Sequence, residues 1–329
     1  MKNLAKILLS TALAFVLSLA AVSCNSTDNN TQIPQKINIA TLNGTTGFGM
    51  AKLISDAKAS ETQLNYNIEV QTDPSLIQAS LISGELDIAA LPTNAAANLY
   101  AKTNGGIKIL ATNTLGVLYV VVNEANSDIK TLSDLDSKTV YCPAQNPTFI
   151  FKGLCAKAGV NITIDNTYAQ PADLRTALVA NQVDIAVLPE PMVTIAKANN
   201  KSLAVALDLT AEWDKVFSEG SLVQGCVVAR TEFIEQYPEA VETFLSEYKA
   251  SVNCVNENTT DAAKLIAEAG IFENENVAKA AIPKCNIKYV DGDDMAEALD
   301  LFFKTLYDIN PQAVGGSVPS VDIYYKSND

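Results

Sequence analysis

Hydrophobic and polar residues follow two different periods along most of this chain. Short runs of aliphatic and β-branched residues predict strands, and the stretches between them have the spacing of amphipathic helices. In the first part of the chain, strands are predicted at 36–42, 66–72 and 86–92, and helices at 50–60 and 73–85. Asp73 fits the N-cap of the second helix, with Pro74 as its first residue. This alternation predicts a mainly parallel sheet covered by helices, with right-handed crossovers.

The alternation begins again after a polar, turn-like stretch at 131–138. Before that stretch, the apolar run 107–124 continues the pattern as strand. In the second unit, strands are predicted at 138–144, 161–168 and 183–189, and helices at 147–159 and 171–182. A further strand is predicted within 221–230, and helices from about Pro238, at 261–270 and at 295–308. The chain therefore contains two successive α/β units and a mostly helical C-terminal section.

A short phrase occurs in both units, as LDIAALP at 86–92 and as VDIAVLP at 183–189. Each copy follows an amphipathic helix and ends in proline, so both copies predict a buried strand at the same place in two similar lobes. In open parallel sheets, ligands bind at the carboxyl edge of the strands. Asp87 and Asp184 are expected to fix the turn into the strand. The alternative is that the phrase only repeats a good buried-strand composition.

The most economical arrangement returns the C-terminal section to the first lobe. Lobe 1 is then formed by 37–124 and 222–329, and lobe 2 by 125–221. The chain crosses between the lobes near Asn123–Ser127 and again near Gly220–Gln224, and these two crossings form a hinge.

The N-terminus has the pattern of an export signal. Lys2 and Lys6 precede an apolar run at 7–22, and small residues lead to Cys24. This pattern resembles a bacterial lipoprotein signal, which implies cleavage of 1–23 and lipidation of Cys24, although Ala21 replaces the more usual leucine. A plain secretory signal is the alternative. Residues 24–36 are polar and predict a flexible tether.

Composition narrows the possible functions. The formal net charge is −14 and no basic patch is visible, so nucleic acid is not an expected partner. The chain has no histidine, which excludes His-ligated zinc and Ser-His-Asp catalysis. We expect a binding protein with no catalytic residue, no cofactor and no metal site.

Five further cysteines follow Cys24, at 142, 155, 226, 254 and 285. Because their number is odd, they cannot all pair within one molecule. Pairing of Cys254 with Cys285 is left open, and most are expected to be small buried apolar residues.

The candidate binding residues lie in loops after strands. Gly44 gives a βα turn in which backbone N–H groups face a ligand, with a helix N-terminus behind them. Asn94 is also a candidate N-cap, and Glu190 is held between prolines but is equally suited to stabilise a helix start. Tyr119 is the favoured aromatic contact. The full predicted set is Asn43, Gly44, Thr45, Thr46, Phe48, Thr93, Asn94, Asn113, Tyr119, Gln145, Asn146, Thr148 and Glu190.

Arginine is scarce, and neither Arg175 nor Arg230 falls in these loops on the predicted pattern. Binders of sulfonates or carboxylates often use a bidentate arginine. The sequence therefore favours a neutral or weakly cationic heterocycle, such as a pyrimidine-type vitamin precursor, and an anion is the alternative.

Several segments together are similar to the solute-binding lipoproteins of ABC importers. They are INIATLNGTTGFGMAKL, LISGELDIAALPTNAA, LRTALVANQVDIAVLPEPMVTIA and the ending NPQAVGGSVPSVDIYY. The chain resembles the NitT/TauT group, which binds nitrate, sulfonates and taurine, and the NMT1/THI5-like group. The resemblance implies an α/β type II periplasmic-binding-protein fold whose two lobes close on a small molecule.

The same resemblance implies that an ABC permease is the partner. A monomer is expected, anchored by lipid outside the cytoplasm on a Gram-positive cell surface. A sensory surface lipoprotein is an alternative function, and an enzyme on the same fold is the least favoured.

Overall fold

The computed structural model describes residues 33–327. The predicted signal 1–23, Cys24 and most of the tether lie outside these residues. The described residues form ten strands: β1 Ile37–Leu42, β2 Tyr66–Gln71, β3 Ile88–Pro92, β4 Ile107–Thr114, β5 Leu118–Val122, β6 Thr139–Tyr141, β7 Thr163–Asp165, β8 Ile185–Pro189, β9 Ala204–Asp208 and β10 Gly225–Arg230. The described part of the chain thus has the predicted succession of strands, except that β9 is added and that β4 and β5 replace the single predicted strand at 107–124.

Thirteen α-helices lie between and after these strands within residues 33–327. They are α1 Thr45–Phe48, α2 Ala51–Ala59, α3 Pro74–Ser83, α4 Thr93–Lys102, α5 Asn146–Ala158, α6 Pro171–Val179, α7 Met192–Asn199, α8 Leu209–Val216, α9 Thr231–Gln236, α10 Pro238–Glu257, α11 Thr259–Glu268, α12 Glu275–Ala281 and α13 Gly292–Ile309. Helix α3 begins as predicted, because Asp73 accepts a hydrogen bond from the backbone N–H of Ser75 and Pro74 follows it. None of the described helices is both long enough and apolar enough to span a bilayer.

The strands form two five-stranded sheets of the same topology. The first sheet has the order β2-β1-β3-β10-β4, and the second has the order β7-β6-β8-β5-β9. We call the first sheet with its helices lobe 1 and the second sheet with its helices lobe 2. In each sheet four strands point the same way, and one antiparallel strand, β10 or β5, enters from the other lobe. The two-lobed α/β fold class predicted from the sequence is confirmed.

The repeated phrase forms the middle strand of each sheet. Pro92 at the end of β3 lies opposite Gly225, where β10 begins, and Pro189 at the end of β8 lies opposite Leu118, where β5 begins. Both prolines therefore lie beside the points at which the chain arrives from the other lobe. Asp87 accepts a hydrogen bond from the backbone N–H of Asn38 at 2.9 Å, which joins the start of β3 to its neighbour β1.

The first crossing is earlier than predicted. The apolar run 107–124 is not one strand: β4 ends at Thr114 in the first sheet, and β5 begins at Leu118 in the second. The predicted crossing near Asn123–Ser127 and the inclusion of residues 118–124 in lobe 1 are therefore wrong. The break lies at Thr112, Asn113 and Thr114 and at Gly116, which interrupt the apolar run. These residues are buried too, and the strands on both sides are apolar on both faces, so the polar interruption was not sufficient to separate two strands in the pattern.

The C-terminal section also does not stay on lobe 1. Helices α10, α11 and α12 pack with α2 or with one another on lobe 1, but α13 packs against α5 of lobe 2. At that contact, Gly153 allows the close approach, because a Cβ there would lie 2.2 Å from a side-chain carbon of Ile309. The chain then returns to lobe 1, where Asn98 donates a hydrogen bond to the carbonyl of Ala313 at 2.8 Å. Helix α13 thus braces both lobes on the hinge side.

The five described cysteines are free. Four are buried and Cys254 is partly exposed, so the pairing of Cys254 with Cys285 that the sequence left open is not formed. Burial raises the pKa of the thiols of Cys142, Cys155 and Cys226 to about 12. These three cysteines act as small apolar core residues, as expected.

Candidate functional site

The two lobes meet at the carboxyl edges of their parallel strands. Helix α7 begins directly after β8, and α12 of lobe 1 packs against it. On lobe 1, the short helix α1 follows β1 and is held beside the hinge: the side chain of Asn113 donates to the carbonyl of Thr46 at 3.3 Å, and Thr114 donates to the carbonyl of Thr45 at 3.4 Å. The loops after β1 and β8 therefore lie along the boundary between the lobes, which we call the cleft.

In the loop before α1, the backbone N–H groups of Asn43 and Gly44 are used within lobe 1. The backbone N–H of Asn43 donates to Gln71 at 2.9 Å, and that of Gly44 donates to Ile271 at 3.1 Å. Gly44 has φ of 79°, and a Cβ placed there would have no atom within 4 Å. The glycine thus permits the turn and leaves open space beside it. Its own N–H is already bonded to the carbonyl of Ile271.

Phe48 does not belong to the site. It is 0% exposed and forms an edge-to-face pair with Phe272, with ring centroids 6.3 Å apart. Phe48 is the last residue of α1 and points into the core of lobe 1. The expectation that it contacts a ligand is therefore wrong, since its ring is covered by core residues.

The predicted residues after β3 and in β4 differ in exposure. Helix α4 begins at Thr93 with Pro92 as its N-cap, so Asn94 lies inside the first turn and its predicted role as N-cap is wrong. Asn94 is partly exposed. Thr93 and Asn113 are buried, and Asn113 also donates to the carbonyl of Cys226 at 3.3 Å. Thr93 and Asn113 are therefore buried below the surface of the cleft, and Asn94 lies at that surface.

The loop before α5 on lobe 2 is stabilised by hydrogen bonds of the Thr148 side chain. Thr148 donates to the carbonyl of Pro143 at 2.7 Å and accepts a hydrogen bond from Asn166 at 2.8 Å. Gln145 is exposed, with φ of 63°, and Asn146 begins the helix. The hydroxyl of Thr148 thus stabilises the loop, and the side chain of Gln145 lies at the surface.

Glu190 is buried at the start of α7. Its carboxylate accepts hydrogen bonds from the backbone N–H and the hydroxyl of Thr194, both at 3.0 Å. Burial raises the pKa of this carboxyl group, and the bonds from Thr194 and the charge of Lys284 oppose the increase. The structure thus gives Glu190 the role at the helix start that the sequence allowed as an alternative.

Tyr119 and Glu190 both contact lobe 1. The ammonium nitrogen of Lys284 lies 3.9 Å from Glu190 Oε1, and the hydroxyl of Tyr119 donates to the backbone carbonyl of Lys284 at 2.9 Å. Burial raises the pKa of the Tyr119 hydroxyl, which therefore stays protonated and able to donate. Lys284 was not among the predicted residues, because its segment is distant in sequence from both partners and only the fold brings it to them.

Two other features of lobe 2 lie at the same edge of the sheet. Tyr141, the last residue of β6, and Tyr168, in the loop after β7, form a tilted pair with ring centroids 6.2 Å apart. Arg175 Nη1 lies 3.8 Å from the sulfur of Met192, the first residue of α7. Arg175 lies within α6 and not in a loop, as predicted, but its side chain reaches the first residue of α7. Side chains on a helix lean toward its N-terminus, and the N-terminus of α6 is at the carboxyl edge.

Comparison with known proteins gives a consistent result. Residues 35–282 match the family model described as the substrate-binding domain of ABC-type glycine betaine transport systems, OpuAC. A crystal structure of an ABC transporter protein from Parabacteroides distasonis is 25% identical, with a TM-score of 0.75, and the match covers 90% of this chain and 100% of that one. A search of curated proteins gives no match.

Two sulfonate-binding proteins share the fold. The periplasmic aliphatic sulphonate binding protein SsuA from Escherichia coli is 15% identical, with a TM-score of 0.71 over 90% of this chain and 93% of that one. The alkanesulfonate-binding protein SsuA from Xanthomonas axonopodis pv. citri, bound to MOPS, is 14% identical, with a TM-score of 0.60 over 88% and 96%.

The family match covers most of the chain, and its members bind solutes for ABC importers. The two sheets of equal topology and the cleft between them are the architecture that this function uses. The chain belongs to the OpuAC family of substrate-binding domains of ABC transport systems.

Proposed function

We propose that this protein is a lipid-anchored extracytoplasmic receptor that captures a small molecule in its cleft and delivers it to an ABC permease. The observation that carries the proposal is the meeting of the two lobes at the carboxyl edges of their sheets, where α7 packs against α12. A ligand that touches both lobes stabilises the closed form by the contacts it makes only there. Within the family, we place the protein near the nitrate, sulfonate, taurine and NMT1/THI5-like binders.

The anchor is a separate part of the proposal. Cys24 follows the apolar segment 7–22, and the polar residues after it supply a tether. Mass spectrometry of the mature N-terminus tests it: we expect a lipid-modified Cys24 in the membrane fraction and release of a Cys24→Ser variant. A mature protein that begins elsewhere and is free in solution would contradict the anchor but not the receptor.

For the ligand, the first candidate is a small heterocycle. The pair Tyr141 and Tyr168 supplies aromatic surface at the carboxyl edge, and Thr45 and Asn94 supply polar groups on the opposite lobe. An aromatic surface favours a flat ring, and a few polar groups fix its orientation.

The second candidate is an organic anion of the sulfonate type. The observation that favours it is Arg175, which makes no ion pair within the described residues and lies against the first residue of α7. Arg230, by contrast, is bound to Asp87 at 3.0 Å and to Glu232 at 2.9 Å. A guanidinium group beside a helix N-terminus suits a sulfonate.

Calorimetric titration of the mature protein distinguishes the candidates. Pyrimidine-type vitamin precursors and alkanesulfonates are titrated into the wild type, Arg175→Met and the control Lys102→Met, an exposed lysine. Sulfonate binding lost only in Arg175→Met supports the anion, and heterocycle binding retained in both variants supports the ring. No binding by the wild type in either class would count against both candidates.

A further inference from the structure

One residue of lobe 1, Lys284, makes two polar contacts with lobe 2 at the cleft. It ends a short 3₁₀ turn, Ile282–Lys284, that follows α12 on lobe 1. Its ammonium nitrogen is 3.9 Å from Glu190 Oε1 on lobe 2, and its backbone carbonyl accepts a hydrogen bond from Tyr119 at 2.9 Å. Side chain and main chain of the same residue are thus bound by two groups of the other lobe.

The two members of the ion pair have very different environments. The Glu190 side chain is 1% exposed, whereas the Lys284 side chain is 52% exposed. The buried carboxylate is fixed by two bonds from Thr194, so it is an ordered acceptor before Lys284 approaches. The other charged or titratable groups that act on Glu190 are Lys197 and Cys285. Since Lys197 is exposed on α7 itself, Lys284 is the cation that arrives from the opposite lobe.

The residues after Lys284 connect this contact to the hinge. The side chain of Asn286 donates to the carbonyl of Gly116 in the first crossing. The backbone N–H of Leu115 donates to Asn286 at 2.9 Å, and that of Lys288 donates to Asn113 at 3.1 Å. Glu190 and Tyr119 move with lobe 2, whereas Lys284 moves with lobe 1, so a rotation of lobe 2 about the hinge changes the distances that join them to Lys284.

We propose that Lys284, Glu190 and Tyr119 form an interlobe clasp that favours the closed form even without ligand. The inference rests on the lobe movement of the proposed receptor function, but it does not need a bound solute. A ligand can then enter the cleft only when the clasp is open. Once bound, the ligand stabilises further the closed form that the clasp already favours. The clasp therefore sets the fraction of closed molecules before binding, and with it the apparent affinity.

The test is the closed fraction of the ligand-free mature protein, measured by single-molecule energy transfer between labels at the exposed residues Lys58 on lobe 1 and Lys201 on lobe 2. Lys284→Met removes the charge and keeps the stem of the side chain. Tyr119→Phe removes only the hydroxyl. Lys288→Met is the matched control, because it is an exposed lysine in the same segment and has no ion pair in the described structure.

We expect the ratio of closed to open molecules to fall up to about fivefold in Lys284→Met. In Tyr119→Phe the expected fall is about two- to tenfold, the effect of one net hydrogen bond. Lys288→Met should match the wild type. An unchanged ratio in both clasp variants would overturn the inference, and so would an equal change in the control.

The outcome is separable from that of the receptor function. If the ratio of closed to open molecules falls in the clasp variants but the wild type binds no tested solute, the clasp is supported and the receptor function is contradicted. Solute binding by a wild type whose clasp variants stay closed would contradict the clasp alone.

Discussion

The side chain of Gln224 accepts a hydrogen bond from the backbone N–H of Val117 at 2.7 Å. Val117 belongs to the first crossing between the lobes and Gln224 to the second, so the two crossings are bonded to each other. The backbone N–H of Gln224 also donates to the carbonyl of Thr114 at 2.9 Å. The hinge is therefore a joined pair of segments rather than two independent linkers.

Replacing Gln224 by alanine should destabilise the protein. Val117 is buried, and its N–H would lose its partner, which costs about 1–3 kcal/mol. Urea unfolding of the mature protein measures this change in the free energy of unfolding. Gln63→Ala, at an exposed position, is the control and should change it by no more than about 0.5 kcal/mol. A Gln224→Ala variant as stable as the control would show that the bond between the crossings contributes little.

Gly116→Ala should be destabilising for a steric reason. A Cβ at Gly116 would lie 2.1 Å from Thr210 Oγ1 and 2.6 Å from a side-chain carbon of Leu222. Overpacking of this kind costs about 1–3 kcal/mol.

The double variant Gly116→Ala, Thr210→Ala tests whether that contact is the cause. Thr210 Oγ1 is buried without a hydrogen-bond partner in the described structure, so its loss removes the clash without breaking a bond. The double variant should therefore have a higher melting temperature than Gly116→Ala in thermal unfolding, because part of the lost stability is restored. If the double variant is no more stable than Gly116→Ala, the clash with Thr210 is not responsible.

Glu190 should make the stability depend on pH. Burial raises the pKa of its carboxyl group above the ordinary value of 4.5, so the folded protein binds a proton more tightly there than the unfolded chain does. The contribution of this group to the free energy of unfolding therefore falls as pH rises from about 4.5 through the raised pKa, and it is constant below that window.

Glu190→Gln removes this titration. We expect the stability of the variant to increase relative to wild type as the pH of urea unfolding is raised across the window. Glu257→Gln, at an exposed position, should follow the wild type. A difference between Glu190→Gln and wild type that does not change with pH would contradict the raised pKa.

Asn94→Ala should weaken ligand binding without changing the melting temperature. Asn94 is partly exposed in the first turn of α4, beside the cleft. Loss of one hydrogen bond to a ligand corresponds to about tenfold in affinity. Calorimetry with the pyrimidine-type precursor or alkanesulfonate that binds the wild type measures it, and Asn253→Ala, exposed on α10, is the control. Equal affinity in Asn94→Ala and wild type would place the ligand elsewhere.

Features that depend on local sequence were predictable. The strands β1, β3, β6 and β8 and the helices after them follow from apolar period, caps and prolines, all of which act within a few residues. The structural role of the second crossing near Gly220–Gln224 was also predicted, because glycine and polar residues interrupt the pattern there. By contrast, residues 204–216 were not assigned, and they form β9 and α8, which carries the buried Trp213.

The candidate site was predicted less completely than the fold. The ends of the strands predicted where its loops lie. However, Phe48 lies in the core and Asn94 lies inside the helix rather than at its N-cap. Whether a loop residue faces a cleft or a core depends on which helix packs beside it, and no local pattern contains that information.

The sequence by itself determined that two α/β units are present and that each has a buried middle strand ending in proline, since period and composition are properties of neighbouring residues. Only the tertiary structure decided that Leu118–Val122 joins the second sheet, that α13 lies across both lobes and that Lys284 meets Glu190. These are pairings between residues far apart in the chain. They are selected by packing and by burial of charge, which exist only once the lobes have come together.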